Sequence, residues 1–93
     1  MSEKSDKDTL KIQNEFEKAC ENIKKEKNLD NETLLYIYGL YKQATEGDCN
    51  IQKPSFFDPK GSAKWNAWNE NLGMDKITAM RRYVRRINKI LNI

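Results

Sequence analysis

Tyrosines and lysines recur at helical spacing in the middle of the chain. Tyr38, Tyr41 and Lys42 stand at positions i, i+3 and i+4, which places them on one face of a helix. Lys60 and Lys64 repeat the i, i+4 relation further along, beside two tryptophans. Lysine binds a phosphate as a point charge, and tyrosine offers both a ring face and a hydroxyl. These two faces suit a ligand that carries a flat ring and phosphates.

Two helices are predicted before the second set of lysines. Residues 1–10 are polar and without periodicity, so we interpret them as a flexible tail before a domain that spans residues 11–93. An apolar stripe predicts a first helix over residues 11–26, and a second is expected over residues 31–46, ended by Gly47. The stripe of the first helix consists of Ile12, Phe16, Ala19, Cys20 and Ile23.

A long loop and two further helices complete the predicted fold. Residues 48–59 form the longest irregular stretch, in which Phe56 and Phe57 are expected to pack on the core. Asp58 as a cap predicts a third helix over residues 60–71, and Asp75 caps a fourth. Because no strand pattern appears, we predict an all-α fold, a small four-helix bundle with a long loop between helices 2 and 3. The stripe of the fourth helix consists of Ile77, Met80, Tyr83, Val84, Ile87 and Leu91.

Composition limits the class of protein. The 93 residues are 38% hydrophobic and 33% charged, with a mean hydropathy of −0.93, which indicates one small domain with a modest core. No apolar run is long enough to span a membrane, and the N-terminus lacks the apolar segment of a secretory signal, so we expect a cytoplasmic protein. Cys20 and Cys49 are too few for a zinc site in a chain without histidine, and we expect both to be reduced.

Positive charge is concentrated where the aromatic residues lie. Residues 33–93 contain ten Lys or Arg and five Asp or Glu, whereas residues 1–32 contain seven Lys and nine Asp or Glu. An anionic partner would therefore be attracted to the second part. Each residue alone also has a plain interpretation: core packing for the tyrosines and for Trp65 and Trp68, and solvation for the lysines.

Several functions lack the residues that they need. No histidine base, nucleophile elbow, dinucleotide fingerprint or phosphate-binding loop occurs, so we predict no enzyme. The net charge of +3 is weak for nucleic-acid binding, and we expect none. One alternative from another class stays open, a helical docking module for anionic lipid or protein that uses Arg81, Arg82, Arg85 and Arg86.

The order of the central residues resembles a known family. The pattern YxxYKQATxGDxNxxxP followed by FDxKGxAKWxAWN, which continues into the Ala79–Met80 pair and Tyr83, resembles the acyl-CoA-binding protein family over residues 12–91. The resemblance implies a four-helix bundle that binds long-chain fatty acyl-CoA esters without catalysis. It also implies a carrier that transports and buffers the ester, needs no metal or cofactor, acts as a monomer and contacts membranes or acyl-CoA-using enzymes transiently.

The resemblance further implies roles for single residues. Tyr38, Lys42 and Lys64 would bind the 3′-phosphate of coenzyme A, whose charge at pH 7 is about −1.5 to −2. Tyr41 would lie against the adenine. The other positions implied at the polar end of the ligand are Lys24, Gly39, Leu40, Lys60 and Tyr83. The candidates for the acyl-chain trough are Phe16, Ala19, Cys20, Leu34, Leu35 and Ala63.

The chain departs from the family pattern in the turn after the first helix. The turn lacks the usual proline and is about one residue shorter, so Lys25 or Lys27 could take the place of Lys24. Ser62 stands where many members have a second lysine, and Cys49 replaces an aliphatic residue. None of these changes removes an implied phosphate ligand.

Overall fold

Four helices form the chain wherever its structure is described. The computed structural model describes residues 3–93, with side chains from residue 7 onward, and this part contains no strand. The prediction of an all-α four-helix fold is therefore confirmed. The helices are α1 (Glu3–Ile23), α2 (Asn31–Glu46), α3 (Pro59–Asn69) and α4 (Lys76–Leu91).

Helix α1 begins earlier than predicted. Residues 3–10, which we assigned to a flexible tail, are helical, and residues 1 and 2 of that tail lie outside the described residues. The helix needs no apolar stripe in this part, because charged residues such as Lys and Glu have good helix propensity and simply extend a helix whose later turns are packed. Helix α1 also ends three residues earlier than expected, at Ile23.

Local side-chain chemistry determines where the other helices begin. Asp30 Oδ1 accepts a hydrogen bond from the amide of Thr33 at 2.8 Å, and Asp75 Oδ1 does the same for Thr78 at 2.7 Å. Asp58 caps α3, with Pro59 in the first turn. These carboxylates satisfy amides that have no partner inside the helix. The caps predicted at Asp58 and Asp75 are thus confirmed, and α3 ends at Asn69, two residues before the predicted end.

The helices lie side by side in the order α1, α4, α2, α3. Helix α4 packs against both α1 and α2, whereas α3 packs against α2. The predicted stripes of α1 and α4 lie in one core cluster except for Ile12 and Ile77. Ile87 and Ala79 are fully buried there. Because α3 has only α2 as a packed neighbour, the space beside their contact stays open to a ligand.

A buried glutamine links α2 to the turn before α4. Gln43 is fully buried, and its Nε2 donates to Asp48 Oδ1 at 2.8 Å and to the carbonyl of Met74 at 2.7 Å. The same Asp48 oxygen accepts from the amide of Gly73 at 2.8 Å. The amide of Gly73 and the side chain of Gln43 together lower the pKa of Asp48. Gln43 and Asp48 belong to the family motif, and in the fold they act as a structural link.

We predict that Asp48 gives the protein an acid-dependent part of its stability. Because its folded pKa lies below the unfolded value of about 3.9, the stabilisation is present above that pH and is lost as the pH falls through the folded pKa. Asp48→Asn should therefore be less stable than the wild type at pH 7, and the difference should shrink in acid. Urea unfolding between about pH 6 and pH 2 measures it. A difference that stayed constant over this range would contradict the prediction.

The long loop is held by polar contacts, and its phenylalanines point outward. Phe56 and Phe57 are 90% and 87% exposed, so the expectation that they pack on the core is wrong. Trp65, half-buried on α3, donates its Nε1–H to the carbonyl of Ile51 at 2.8 Å, and Ser55 accepts from the amides of Phe57 and Asp58. These hydrogen bonds fix the loop without burying its rings.

No helix within residues 3–93 is both long and apolar enough to cross a membrane.

Candidate functional site

A cavity opens between α2 and α3 and is closed on one side by α4. Its volume is about 640 Å³, within the range of about 300–1,000 Å³ typical of small-molecule sites. We call it the α2–α3 trough. Its lining residues are Asn31, Leu34, Leu35, Ile37, Tyr38, Tyr41, Pro59, Lys60, Ala63, Lys64 and Tyr83.

The trough combines a tyrosine–lysine pair with an apolar wall. The ammonium of Lys64 lies 5.5 Å from the centre of the Tyr38 ring, which brings a predicted lysine of α3 against a predicted tyrosine of α2. Leu34, Leu35 and Ala63 supply apolar surface in the same cavity. Leu34 is 45% exposed, as expected for a wall that a ligand would cover.

Close approach of two helices shapes the trough. Gly39 is buried, and a Cβ at this position would lie less than 3.0 Å from the carbonyl oxygen and carbon of Ala67 on α3. Trp68 is buried beside this contact and donates its Nε1–H to the carbonyl of Gly47 at 2.8 Å. Gly39 and Leu40, both implied to line the site, do not line the trough: Gly39 faces α3 and Leu40 lies in the core. The effect of Gly39 on the site is therefore to set the spacing of α2 and α3.

Lys42 lies outside the trough and is held by two neighbours. Its ammonium pairs with the carboxylate of Glu46 and lies 4.8 Å from the centre of the Trp68 ring. Hydrogen bonding to Glu46 raises the pKa of Lys42 and so favours its charged form. An i, i+4 pair near the surface is worth only about 0.3–0.5 kcal/mol. A phosphate can therefore compete with Glu46 for Lys42.

A second cavity lies between α1, α2 and α4. Its volume is about 1040 Å³, and we call it the α1–α4 groove. Tyr41 and Tyr83 line both the groove and the trough, so the two cavities meet at these rings. The groove is lined by Gln13, Phe16, Glu17, Cys20, Glu21, Ile23, Lys24, Tyr41, Ala44, Thr45, Lys76, Met80 and Tyr83.

Three aromatic rings form the boundary between the cavities. Phe16 packs face to face with Tyr41, with centroids 5.9 Å apart, and edge-on to Tyr83 at 5.0 Å. Tyr41 and Tyr83 lie 6.3 Å apart. This cluster joins α1, α2 and α4, and it leaves Tyr41 42% exposed. A flat ligand ring can therefore cover Tyr41 without opening the core.

Burial keeps two groups of the groove in their neutral forms. Burial raises the pKa of Tyr83 above its usual range, and the neighbouring Cys20 adds to the effect. Burial also raises the pKa of the Cys20 thiol, and the neighbouring Tyr83 partly offsets this effect. Both cysteines are free thiols. A raised thiol pKa disfavours the nucleophilic thiolate, so the contact of Cys20 with the groove is that of a small apolar side chain.

The structure separates the predicted acyl-chain residues. Leu34, Leu35 and Ala63 line the trough, whereas Phe16 and Cys20 line the groove on the other side of Tyr41. The sixth candidate, Ala19, is buried in the core at 3% exposure and lines neither of these cavities. A stripe on α1 predicts burial, but it does not indicate which cavity its residues reach.

The lysines near α1 are placed unequally. Lys24 lines the groove and pairs with Glu21 at 3.0 Å, although it is exposed. Lys25 and Lys27, its two alternatives, line neither the groove nor the trough. Lys60 lines the trough and is exposed at its rim.

Sequence reasoning missed lining residues at the helix starts. Asn31 and Pro59 begin α2 and α3, and both line the trough. The spacing of Asn31 with Leu34, Leu35 and Tyr38 is itself helical and would have revealed Asn31. Ile37 lines the same cavity although it is buried, and sequence reasoning did not single it out.

The arginines of α4 lie outside both cavities. Arg81, Arg82 and Arg85 are exposed, and the guanidinium of Arg86 lies 4.3 Å from the centre of the Tyr36 ring. None of the four lines the trough or the groove. Within the described side chains, no group of three or more His, Cys, Asp or Glu residues could hold a metal ion.

Comparison with known sequences gives matches over most of the chain. The profile of a family described as Acyl CoA binding protein matches residues 13–87. Diazepam-binding inhibitor-like 5 of Rattus norvegicus is 47% identical over 77 residues, which cover 82% of this chain and 88% of that protein. Acyl-CoA-binding domain-containing protein 6 homolog of Dictyostelium discoideum is 45% identical over 83 residues, which cover 85% of this chain and 29% of that longer protein.

Comparison with solved structures gives the same fold. The crystal structure of Oryza sativa Acyl-CoA-Binding Protein 2 has a TM-score of 0.86 at 37% identity, covering 89% of this chain and 91% of that one. The crystal structure of ACBP from Moniliophthora perniciosa has a TM-score of 0.81 at 35% identity, covering 86% and 80%.

Proposed function

Because this chain belongs to the acyl-CoA-binding protein family, whose members bind acyl-CoA esters without catalysis, we propose that it carries long-chain fatty acyl-CoA in the cytoplasm as a monomer. Transport and buffering of acyl-CoA is the general role of the family. In our proposal the chain needs no cofactor, and it delivers its ligand to membranes or to acyl-CoA-using enzymes.

One observation carries the proposed site: a single trough joins an apolar wall to a tyrosine–lysine pair. Leu34, Leu35 and Ala63 would contact the acyl chain, and Tyr38 with Lys64 would bind the 3′-phosphate at the other end. A compact ammonium suits a phosphate that has three strong acceptor oxygens. The arrangement therefore supports recognition of both ends of an acyl-CoA ester.

The remaining polar groups surround the proposed nucleotide end. Tyr41 would lie against the adenine, because its ring is accessible from both cavities. Lys42 would leave Glu46 and join Lys64 at the 3′-phosphate. Lys60 and Lys24, at the rims of the trough and the groove, would meet the other phosphates, and Tyr83 would approach the thioester end from α4.

Calorimetric titration tests this proposal. We expect tight binding of a long-chain acyl-CoA and much weaker binding of free coenzyme A and of the free fatty acid. Each buried methylene contributes about 0.8 kcal/mol, so two more should raise the affinity roughly 15-fold until the trough is full. Equal affinity for the ester and for coenzyme A alone would refute the role of the trough. Absence of binding would leave the arginines of α4 as the leading candidates.

Lys42→Ala should weaken acyl-CoA binding by about 1.5–3 kcal/mol, because a charge-assisted hydrogen bond to the phosphate is lost. Titration calorimetry of the variant measures this. Lys53→Ala is a matched control, because the ammonium of Lys53 also lies over a tryptophan, 5.7 Å from the centre of the Trp65 ring. Lys53 lines neither the trough nor the groove, so its loss should leave the affinity unchanged. An unchanged dissociation constant for Lys42→Ala would remove Lys42 from the proposed site.

A further inference from the structure

The loop before α3 exposes three large apolar side chains. Phe56 is 90% exposed, Phe57 87% and Ile51 55%. The two phenylalanine rings pack edge to face with centroids 5.3 Å apart, so they form one apolar projection, the Phe56–Phe57 pair. An exposed apolar patch of this kind marks an interaction surface for a protein or a membrane.

Hydrogen bonds hold this pair outward. The amide of Phe57 donates to Ser55 Oγ at 3.1 Å, and the amide of Asp58 donates to the carbonyl of Ser55 at 2.9 Å. Further back, the indole N–H of Trp65 holds the carbonyl of Ile51. The loop backbone is therefore fixed by its own polar contacts while both rings remain in water.

Lysines lie close to the pair. Lys53 lines the same small cavity as Phe56, and Lys60 follows Phe57 by three residues. Asp58 is the one acidic residue between these two lysines. The carboxylate of Asp58 already caps α3 by accepting from the amide of Gly61 at 3.0 Å. Apolar side chains that project among lysines are the combination that favours the interface of an anionic bilayer.

The pair also lies next to the proposed ligand site. Pro59 lines the α2–α3 trough and also the small cavity that Phe56 and Lys53 line, and Lys60 lies at the trough rim. The methylenes of a fatty acyl chain favour its partition into a bilayer. Transfer of the chain between carrier and membrane is shortest if the carrier contacts the membrane beside the trough.

We propose that Phe56 and Phe57 insert into the interfacial region of an anionic phospholipid bilayer, with Lys53 and Lys60 against the headgroups. Two rings that project almost fully into solvent suit a deformable bilayer better than the fitted surface of a protein. The binding requires no ligand. Only its purpose, exchange of acyl-CoA at the membrane, rests on the proposed function.

Cosedimentation of the unliganded protein with vesicles tests the proposal. The vesicles contain phosphatidylcholine alone or with phosphatidylserine, and we expect binding to the anionic ones. A Phe56→Ser, Phe57→Ser double variant should bind them at least about tenfold more weakly, because two large apolar side chains are lost. Leu72→Ser is the matched control, since Leu72 is 64% exposed in the turn after α3, and it should bind as the wild type does.

Acyl-CoA titration of the double variant in solution separates this proposal from the proposed function. If the double variant loses vesicle binding but keeps its acyl-CoA affinity, the insertion of the pair is supported. Loss of vesicle binding would support the insertion even if the protein bound no acyl-CoA. Undiminished vesicle binding by the double variant would overturn the proposal. The proposal would also be overturned if vesicle binding were lost only in an Arg82→Gln, Arg85→Gln double variant. A wild type that self-associates through the pair and binds no vesicles would overturn it as well.

Discussion

Tyr41→Ala should lower the affinity for long-chain acyl-CoA more than about 100-fold, a loss of about 3 kcal/mol. Tyr41 lines both cavities, and its ring is the exposed member of the cluster with Phe16 and Tyr83. Alanine removes both the surface proposed to contact the adenine and one wall of the site. Titration calorimetry with the acyl-CoA and with free coenzyme A measures the loss.

Tyr41→Phe is the control for this experiment. It keeps the ring and removes only the hydroxyl, so the affinity should fall by no more than about 1.5 kcal/mol. Because Tyr41 also packs on Phe16, urea unfolding of each variant must show that the protein is folded at the titration temperature. If folded Tyr41→Ala bound acyl-CoA as tightly as the wild type, the adenine would have to lie elsewhere.

Gly39→Val should destabilise the fold by about 3 kcal/mol, because a side chain at this position overpacks a helix contact. Its Cβ would overlap the carbonyl of Ala67, a backbone group that can move only if α3 moves away from α2. Because valine has a higher intrinsic helix propensity than glycine, the substitution by itself would stabilise α2. A net loss of stability would therefore be due to the clash with α3. Urea unfolding measures the loss, which should appear as a lower midpoint.

Asn66→Val is the matched control for Gly39→Val. It places the same side chain on an exposed position of α3 and should change the free energy of unfolding by less than about 1 kcal/mol. Because the α2–α3 contact sets the width of the trough, Gly39→Val should also weaken acyl-CoA binding where it still folds. A Gly39→Val variant as stable as the wild type would show that the two helices are not held at this distance.

Part of the proposed site could be assembled from the sequence because the ligand contacts proposed for α2 and α3 are local in sequence. Helical spacing alone puts Tyr38 and Tyr41 on one face. The order of the family motif then assigns Lys60 and Lys64 to the same ligand site. The trough does contain these four residues. Lys42 shares that helical face but lies over Trp68 instead, because the neighbouring helix provides a ring there.

The local sequence by itself determined where three of the helices begin and where α2 ends. Asp30, Asp58 and Asp75 cap amides three residues away, and Gly47 adopts a φ of 82°, which a residue with a Cβ rarely adopts. These interactions span one turn, so they need no knowledge of the rest of the chain. The charged start of α1 was the exception, since a polar helix has no periodic stripe to reveal it.

Only the tertiary structure decided which side chains face the ligand, the core or the solvent. Gly39 lies against Ala67, Ala19 and Leu40 are in the core, and Phe56 and Phe57 are in water. These outcomes depend on how closely α2 and α3 approach and on which groups hold the loop between them. Both are non-local contacts, and hydrophobicity along the chain does not encode them, because a hydrogen-bonded loop can hold an apolar side chain in solvent.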